Sequence, residues 1–248
     1  MKLKKIKNTL LVVLTLALVS VASVAITYAL VESSLGSAEN TFTNEEISVQ
    51  LSEVAWDRTK GPNDTDADVP EDGKNGQAMA LSYSAGQSIP KNPKLSNISD
   101  TSNGATTDPQ EWVAIKATYS ATVVVDGTST TYTYDNYSDF LAATGAQVHS
   151  AVTNANGFNT TNWEANTAQT VFYYKTKLDN KASTATLFDT VEMQALATEN
   201  GKYVTYDADG NEVLADSLPS FEIKLEGFAV QAEAVVYATA KDELDKLM

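Results

Sequence analysis

An alternation of apolar residues with polar or small ones runs through most of residues 112–125. The apolar members are Val113, Ile115, Ala117, Tyr119, Ala121, Val123 and Val125. A period of two is the repeat of a β-strand with one buried face. Asp126-Gly127 then predicts a tight turn, and the Thr/Tyr-rich residues 130–134 complete a hairpin. A chain that contains so long a hairpin must build a sheet, and this restricts its fold more than any other feature.

Strand signals recur along the rest of the chain. Residues 47–51 place Ile47, Val49 and Leu51 on one face, residues 171–177 predict another strand, and residues 203–213 predict a second hairpin. Residues 81–99 are extended. Pro90 and Pro93 exclude a central position in a sheet for that segment, because proline cannot donate to a ladder.

Residues 221–237 change parity. Phe221, Ile223 and Leu225 set one register, whereas Phe228, Val230, Ala232, Ala234 and Val236 follow the opposite one. A one-residue slip turns an apolar set to the other face of a sheet, and a bulge restores it. We therefore predict one long bent strand with a bulge at Gly227. Residues 239–248 predict a frayed helical tail.

Helical periodicity is otherwise nearly absent. One short helix is predicted over residues 138–146, with Ser138 as N-cap and Gly145 as terminator. Strands separated by turn-rich loops predict an all-β fold, an antiparallel jelly-roll-like β-sandwich with one or two short helices. The absence of internal repeats indicates one folded domain, residues 43–238, followed by the tail.

The first 29 residues have the pattern of a secretory signal peptide. Lys2, Lys4, Lys5 and Lys7 precede an almost wholly apolar stretch, and small residues flank a cleavage bond between Ala29 and Leu30. A signal-peptide helix is expected to precede the sandwich, and the mature protein is expected outside the cell, in an extracellular matrix or on the cell surface. The alternative is an uncleaved membrane anchor, because the apolar stretch is near the lower length limit for spanning.

Composition excludes several kinds of site. The chain has no cysteine, so disulfides, thiolate metal sites and cysteine nucleophiles are excluded. The single histidine, His149, lies in a polar stretch and is expected to be exposed, and neither HExxH nor GxSxG occurs. We therefore predict no catalytic, cofactor-binding or metal-ligating residues. The acidic loops over 57–76 and 207–211 leave loose calcium binding open, although their spacing matches no calcium-loop template and a solvated loop and a turn explain them better.

Net charge argues against nucleic acid as a partner. Removing residues 1–29, with their four lysines and no acids, lowers the net charge from −15 to −19. Phosphate contacts need a basic surface, so nucleic acid and anionic lipid are poor partners.

Residues 30–42 have too little apolar surface to fold alone, but they could add a strand to another sheet. Leu30, Leu35 and Phe42 are the candidate anchors for such a donation. The alternative is a disordered terminus.

Four ordered blocks resemble one family, the TasA/camelysin (CalY) proteins of biofilm matrices, which a SipW-type signal peptidase processes. The blocks are residues 40–51 after the signal region; 85–97 (AGQSIPKNPKLSN) followed by 112–116; 162–163 with 172–175 and 186–191; and 221–223 leading to 229–234. Ala85 and Asn92 depart from the family's usual proline and aspartate.

The resemblance implies a jelly-roll fold and extracellular fibres in which the N-terminal segment of one subunit completes the sheet of its neighbour. The implied partners are other copies of the chain, head to tail, a SipW-type signal peptidase and other matrix proteins. Two alternatives stay open. One is a camelysin-like cell-surface metalloendopeptidase, and the other is a surface protein that never polymerises.

Overall fold

A computed structural model describes residues 47–99 and 109–248. The predicted signal peptide, the cleavage bond between Ala29 and Leu30, and the donor segment 30–42 with its anchors Leu30, Leu35 and Phe42 lie outside the described residues. The strands are β1 Val49–Ser52, β2 Ser88–Pro90, β3 Lys94–Asn97, β4 Glu111–Val125, β5 Thr128–Tyr134, β6 Ala146–Ser150, β7 Ala155–Asn156, β8 Trp163–Ala165, β9 Val171–Tyr174, β10 Thr190–Met193, β11 Thr198–Glu199, β12 Lys202–Tyr206, β13 Glu212–Ala215 and β14 Ser220–Gln231. The α-helices are α1 Val54–Asp57, α2 Gly76–Ala80, α3 Tyr137–Thr144 and α4 Tyr237–Asp245, and Asp66–Asp68 forms a 3-10 turn.

The first layer of the fold is built around β4. Its strand order is β14-β4-β9-β8, and β5 pairs with the distal part of β4. The predicted alternation is confirmed, because Val113, Ile115, Tyr119 and Val123 are all buried. The turn is confirmed as well: Asp126 and Gly127 adopt φ values of 47° and 77°, the left-handed pair that a two-residue hairpin loop requires.

The second layer consists of the antiparallel sheet β2-β10-β6-β7 and the pair β1-β3. Backbone bonds from Thr184 N to Leu95 O (2.8 Å) and from Leu187 N to Pro93 O (2.9 Å) connect β3 with the segment that leads into β10. A small third sheet, β11-β12-β13, lies beside these layers. As the prolines predict, β2 is an edge strand of its sheet.

The main core lies between the two layers. It includes Ile89, Leu95, Val148 and Val191 from the second layer and Val113, Ile115, Tyr119, Phe172 and Ile223 from the first. This arrangement confirms the predicted all-β, antiparallel jelly-roll-like sandwich. The part of the chain that the structure describes contains four α-helices, more than the one or two expected.

The predicted bulge at Gly227 is wrong. β14 pairs with β4 without interruption, with Glu226 opposite Lys116, Gly227 opposite Ile115 and Phe228 opposite Ala114. The apolar residues switch from odd to even positions because the first part of β14 packs one face onto the main core, whereas the later part is buried on both faces. Phe228 and Val230 pack into a second apolar cluster, on the opposite face of the sheet from the main core.

The C-terminal helix provides this second cover. The predicted helix is confirmed, whereas the prediction that it is frayed is wrong. Ala240 and Leu244 of α4 are buried against Trp112, Tyr173 and Phe228. Polar contacts fasten α4 and the residues after it, since Lys241 pairs with Glu164 at 2.6 Å and Lys116 Nζ donates to Met248 O at 2.5 Å.

Two local predictions need correction. Ser138 lies inside α3, and the N-cap is Asn136, whose Oδ1 accepts from Asp139 N at 2.9 Å, whereas Gly145 terminates the helix at φ 70° as expected. His149 was expected to be exposed, but it is half-buried. It lies in β6, between Thr190 of β10 and Asn156 of β7, because residues 146–150 form a strand inside a sheet. Among the helices within residues 47–99 and 109–248, none has the length and apolar character needed to cross a membrane.

Candidate strand-accepting groove

The edge of β14 is the candidate functional site. β14 is the outermost strand of its sheet, and in the described part of the chain no strand pairs with it on the side away from β4. An edge strand presents backbone N–H and C=O groups that can pair with another chain. In the first half of β14, residues 220–225, this edge borders a cavity.

The ladder shows which residues of β14 face outward. Ala232 N donates to Gln110 O at 2.9 Å, just beyond the β4 pairing, so even-numbered residues of β14 exchange bonds with β4. In an antiparallel pair, the residues between such pairs direct their backbone groups to the other side. Phe221, Ile223 and Leu225 therefore offer their N–H and C=O groups to the open edge.

The cavity has a volume of about 340 Å³ and separates the β14 edge from the second layer. Phe221, Ile223 and Leu225 line one side, and Tyr83, Ile89 and Val191 contribute to the other. We call this space the β14 groove. Its lining is mainly apolar, with outward backbone groups along one wall, which is what an added strand with alternate apolar side chains requires.

Tyr83 fixes one wall of the β14 groove. Its ring meets the ring of Phe221 edge-on, with centroids 5.6 Å apart, and its hydroxyl donates to the carbonyl of Pro219. Burial raises the pKa of Tyr83 to about 12, so the hydroxyl stays protonated and keeps donating at physiological pH. The wall beside the strand edge is therefore held in place before any ligand binds.

A nearly buried ion pair forms the polar corner of the groove. Lys91 Nζ lies 2.7 Å from Glu53 Oε1 and 2.9 Å from Oε2, and it sits 4.6 Å from the centre of the Trp56 ring. Burial raises the pKa of the Glu53 carboxyl, and the Lys91 ammonium offsets part of that effect. Because the two charges are paired and Lys91 also lies against the Trp56 ring, this corner positions Trp56, and the apolar wall remains as the recognition surface.

The structure describes only some of the residues that the sequence predicted to matter for assembly. Leu30, Leu35 and Phe42 lie outside the described residues, as do Ala29 and the cleavage bond. Ile47 and Val49 are buried in the main core of their own chain, and Leu51 packs against it. The acceptor residues of β14 were not predicted as a site. The only signal for them was the alternation of Phe221, Ile223 and Leu225 near an edge.

The acidic loops are explained by bonds within the protein. Asp207 Oδ1 accepts from Asp209 N at 3.0 Å and from Asn211 N at 2.8 Å, which confirms a turn. In the 57–76 loop, Asp64 pairs with Lys94 at 2.5 Å. Among the residues that the structure describes, no group of three or more His, Asp or Glu side chains is placed to hold a metal ion.

Comparison with known proteins gives no relatives: no protein-family model, no curated protein and no solved structure matches this chain.

Proposed function

We propose that this protein is a secreted structural subunit that assembles into extracellular fibres of the biofilm-matrix type. Each subunit donates its N-terminal segment, residues 30–42, to the β14 groove of a neighbour. The observation that carries the proposal is the open half of β14, where an edge that no strand of residues 47–99 and 109–248 pairs with borders a mainly apolar cavity. The resemblance of the sequence to the TasA/camelysin family supports the same function.

The energetics favour an apolar strand as the occupant. Pairing with Phe221, Ile223 and Leu225 would satisfy the outward backbone groups on both chains. An apolar anchor such as Leu35 that is buried in the groove contributes about 1.5–3 kcal/mol before the cost of ordering the segment. Ordering each backbone residue opposes binding by about 1–2 kcal/mol, so the anchors must act together with the backbone hydrogen bonds of the added strand.

The mode of association predicts a filament. The donated segment and the β14 groove are different surfaces of the same chain, so the contact is heterologous and head to tail. Such contacts continue indefinitely unless the rotation closes a ring. The partners proposed are other copies of the chain, a signal peptidase of the SipW type that frees the donor segment, and other matrix proteins.

The experiment compares a mature protein that starts at Leu30 with one that starts at Thr43. Electron microscopy and light scattering should show filaments from the first only, because the second keeps the groove but lacks the donor. Equal polymerisation by both would contradict the proposal. A protein that starts at Leu30 and stays monomeric would favour the non-polymerising surface protein.

A peptide makes the test specific to the groove. A synthetic peptide of residues 30–42 should bind the Thr43 version and protect the Ile223 and Leu225 amides from hydrogen exchange. The matched control peptide carries Leu35→Ser and Phe42→Ser and should bind about a hundredfold more weakly, since each of the two lost anchors is worth about a factor of ten or more. Equal binding of the two peptides would exclude anchoring by these residues.

A further inference from the structure

Glu111, the first residue of β4, has a carboxyl group that is fully buried. Its Oε1 accepts from Ser99 Oγ at 2.5 Å and from the backbone N–H of Ser48 at 3.1 Å. Its Oε2 is also buried and has no hydrogen-bond partner in the described part of the chain. Backbone bonds to Leu178 in both directions, 2.8 and 3.0 Å long, fix Glu111 in place.

This environment favours the neutral carboxyl. Burial raises the pKa of Glu111 to about 8, against the opposite effect of the hydrogen bonds from Ser99 and Ser48. A charged carboxylate here would leave Oε2 without a donor in a site that water does not reach. At pH 7 the carboxyl therefore keeps its proton while the corner is closed.

Among the described residues, the segments packed around Glu111 present uncharged side chains to it. The nearby residues are Ser48 just before β1, Asn97 at the end of β3 and Gln231 of β14, and all three are uncharged. On the segment that contains Leu178, Lys177 donates to the carbonyl of Ala232 and Asp179 accepts from Gln110. The acids nearest in sequence to Ser48 and Ser99, namely Glu45, Glu46 and Asp100, lie outside the described residues.

We infer that Glu111 is a proton-controlled latch that closes the start of β1 onto the sandwich. Moving Ser48 away from this corner admits water, and in water a carboxyl ionises at its ordinary value. Opening therefore releases a proton. The closed form is favoured in acid and becomes easier to open as the pH rises from about 4.5 to about 8, above which the effect levels off.

The latch lies at the root of the proposed donor. Ser48 follows Phe42 by a few residues. Whether Ser48 is bonded to Glu111 therefore affects how firmly the subunit holds the chain at the end of its proposed donor segment. For this consequence the inference rests on the proposed function. The closing of β1 itself does not, because it can be measured on a monomer whether or not filaments form.

The test is hydrogen exchange over residues 47–52 of the mature protein that starts at Leu30, kept dilute and checked as a monomer by light scattering. After correction for the intrinsic exchange rate, protection should fall about a hundredfold between pH 5 and pH 7.5, since opening gains up to tenfold per pH unit in this window. Glu111→Gln should remove this dependence, and Glu226→Gln, which changes an acid on β14, should retain it.

Two outcomes would overturn the latch. One is a wild-type protein whose β1 protection does not change with pH, and the other is a Glu111→Gln variant that keeps the full dependence. If that variant fails to fold, a carbon-13 titration of the Glu111 carboxyl in the wild-type protein decides the question. A midpoint near 8 supports the latch, and a midpoint near 4.5 contradicts it.

Discussion

The two halves of β14 have the same partner strand and one uninterrupted register, but they are covered differently. Residues 220–225 pack one face onto the main core and leave an edge open beside a cavity. Residues 228–230 are buried on both faces, because α4 covers the side that points away from the core. The comparison shows that the apolar residues of a strand can switch from odd to even positions without a bulge. The switch occurs where a helix begins to cover the second face of the sheet.

The two halves should also differ in what they do. The open half has backbone groups that no described strand pairs with, and it has a pre-formed apolar wall, which are properties of a binding edge. The closed half adds a second apolar cluster, which is a property of a stability element. Substitutions that separate assembly from stability therefore test this division most directly.

The largest effect is expected from Leu225→Pro, in the open half. Proline removes the outward N–H at this position while the bonds of β14 to β4 remain, as on other edge strands. We expect the protein to stay folded by circular dichroism and filaments to be lost in electron microscopy. Leu225→Ala is the matched control, because it removes the same side chain and keeps the N–H. Filaments of equal number from both variants would show that this edge is not the acceptor.

The second effect is expected from Leu244→Ala, in the helix that covers the closed half. Leu244 is 1% exposed, and truncation of a buried leucine costs about 2–5 kcal/mol of the free energy of unfolding. Urea unfolding should show this loss, whereas Asp242→Ala on the exposed side of α4 should change stability by less than about 0.5 kcal/mol. Filaments should still form at low temperature. Loss of filaments without loss of stability would contradict the division between the halves.

The smallest effect is expected from Gly227→Ala, at the boundary between the halves. A methyl group there would overlap the buried end of the Leu95 side chain from the other layer, so Leu95 must repack or the layers must shift. Overpacking of this kind costs about 1–3 kcal/mol. In a double-mutant cycle, Leu95→Ala should absorb most of this cost, because it empties the space that the methyl group needs. Additive losses would mean that Gly227 is required for another reason.

Much of the fold could be predicted from local patterns. The alternation in β4, the turn at Asp126-Gly127 and the loop bound by Asp207 all follow from interactions within a few residues, and all are confirmed. The N-cap of α3 was misplaced by two residues, since Asn136 and Ser138 are both good caps and the sequence does not rank them.

The candidate site was predicted only in its donor half. A short segment with spaced apolar residues is visible in sequence, so Leu30, Leu35 and Phe42 could be named as candidate anchors. The acceptor could not be named, because an edge exists only once the strand order is known. The alternation of Phe221, Ile223 and Leu225 would be the same in a central strand as in an edge strand.

The sequence by itself determined the periods, the turns and the all-β class, because these depend on residues that are close along the chain. Tertiary structure alone decided which face of each strand is covered, where the sheet ends and which acid is buried. Alternation in the sequence indicates that one face of a strand is apolar, but it does not indicate which part of the chain packs against that face. The cover over Phe228, the open edge at Ile223 and the dry corner around Glu111 all come from segments distant in sequence, and burial depends on those neighbours.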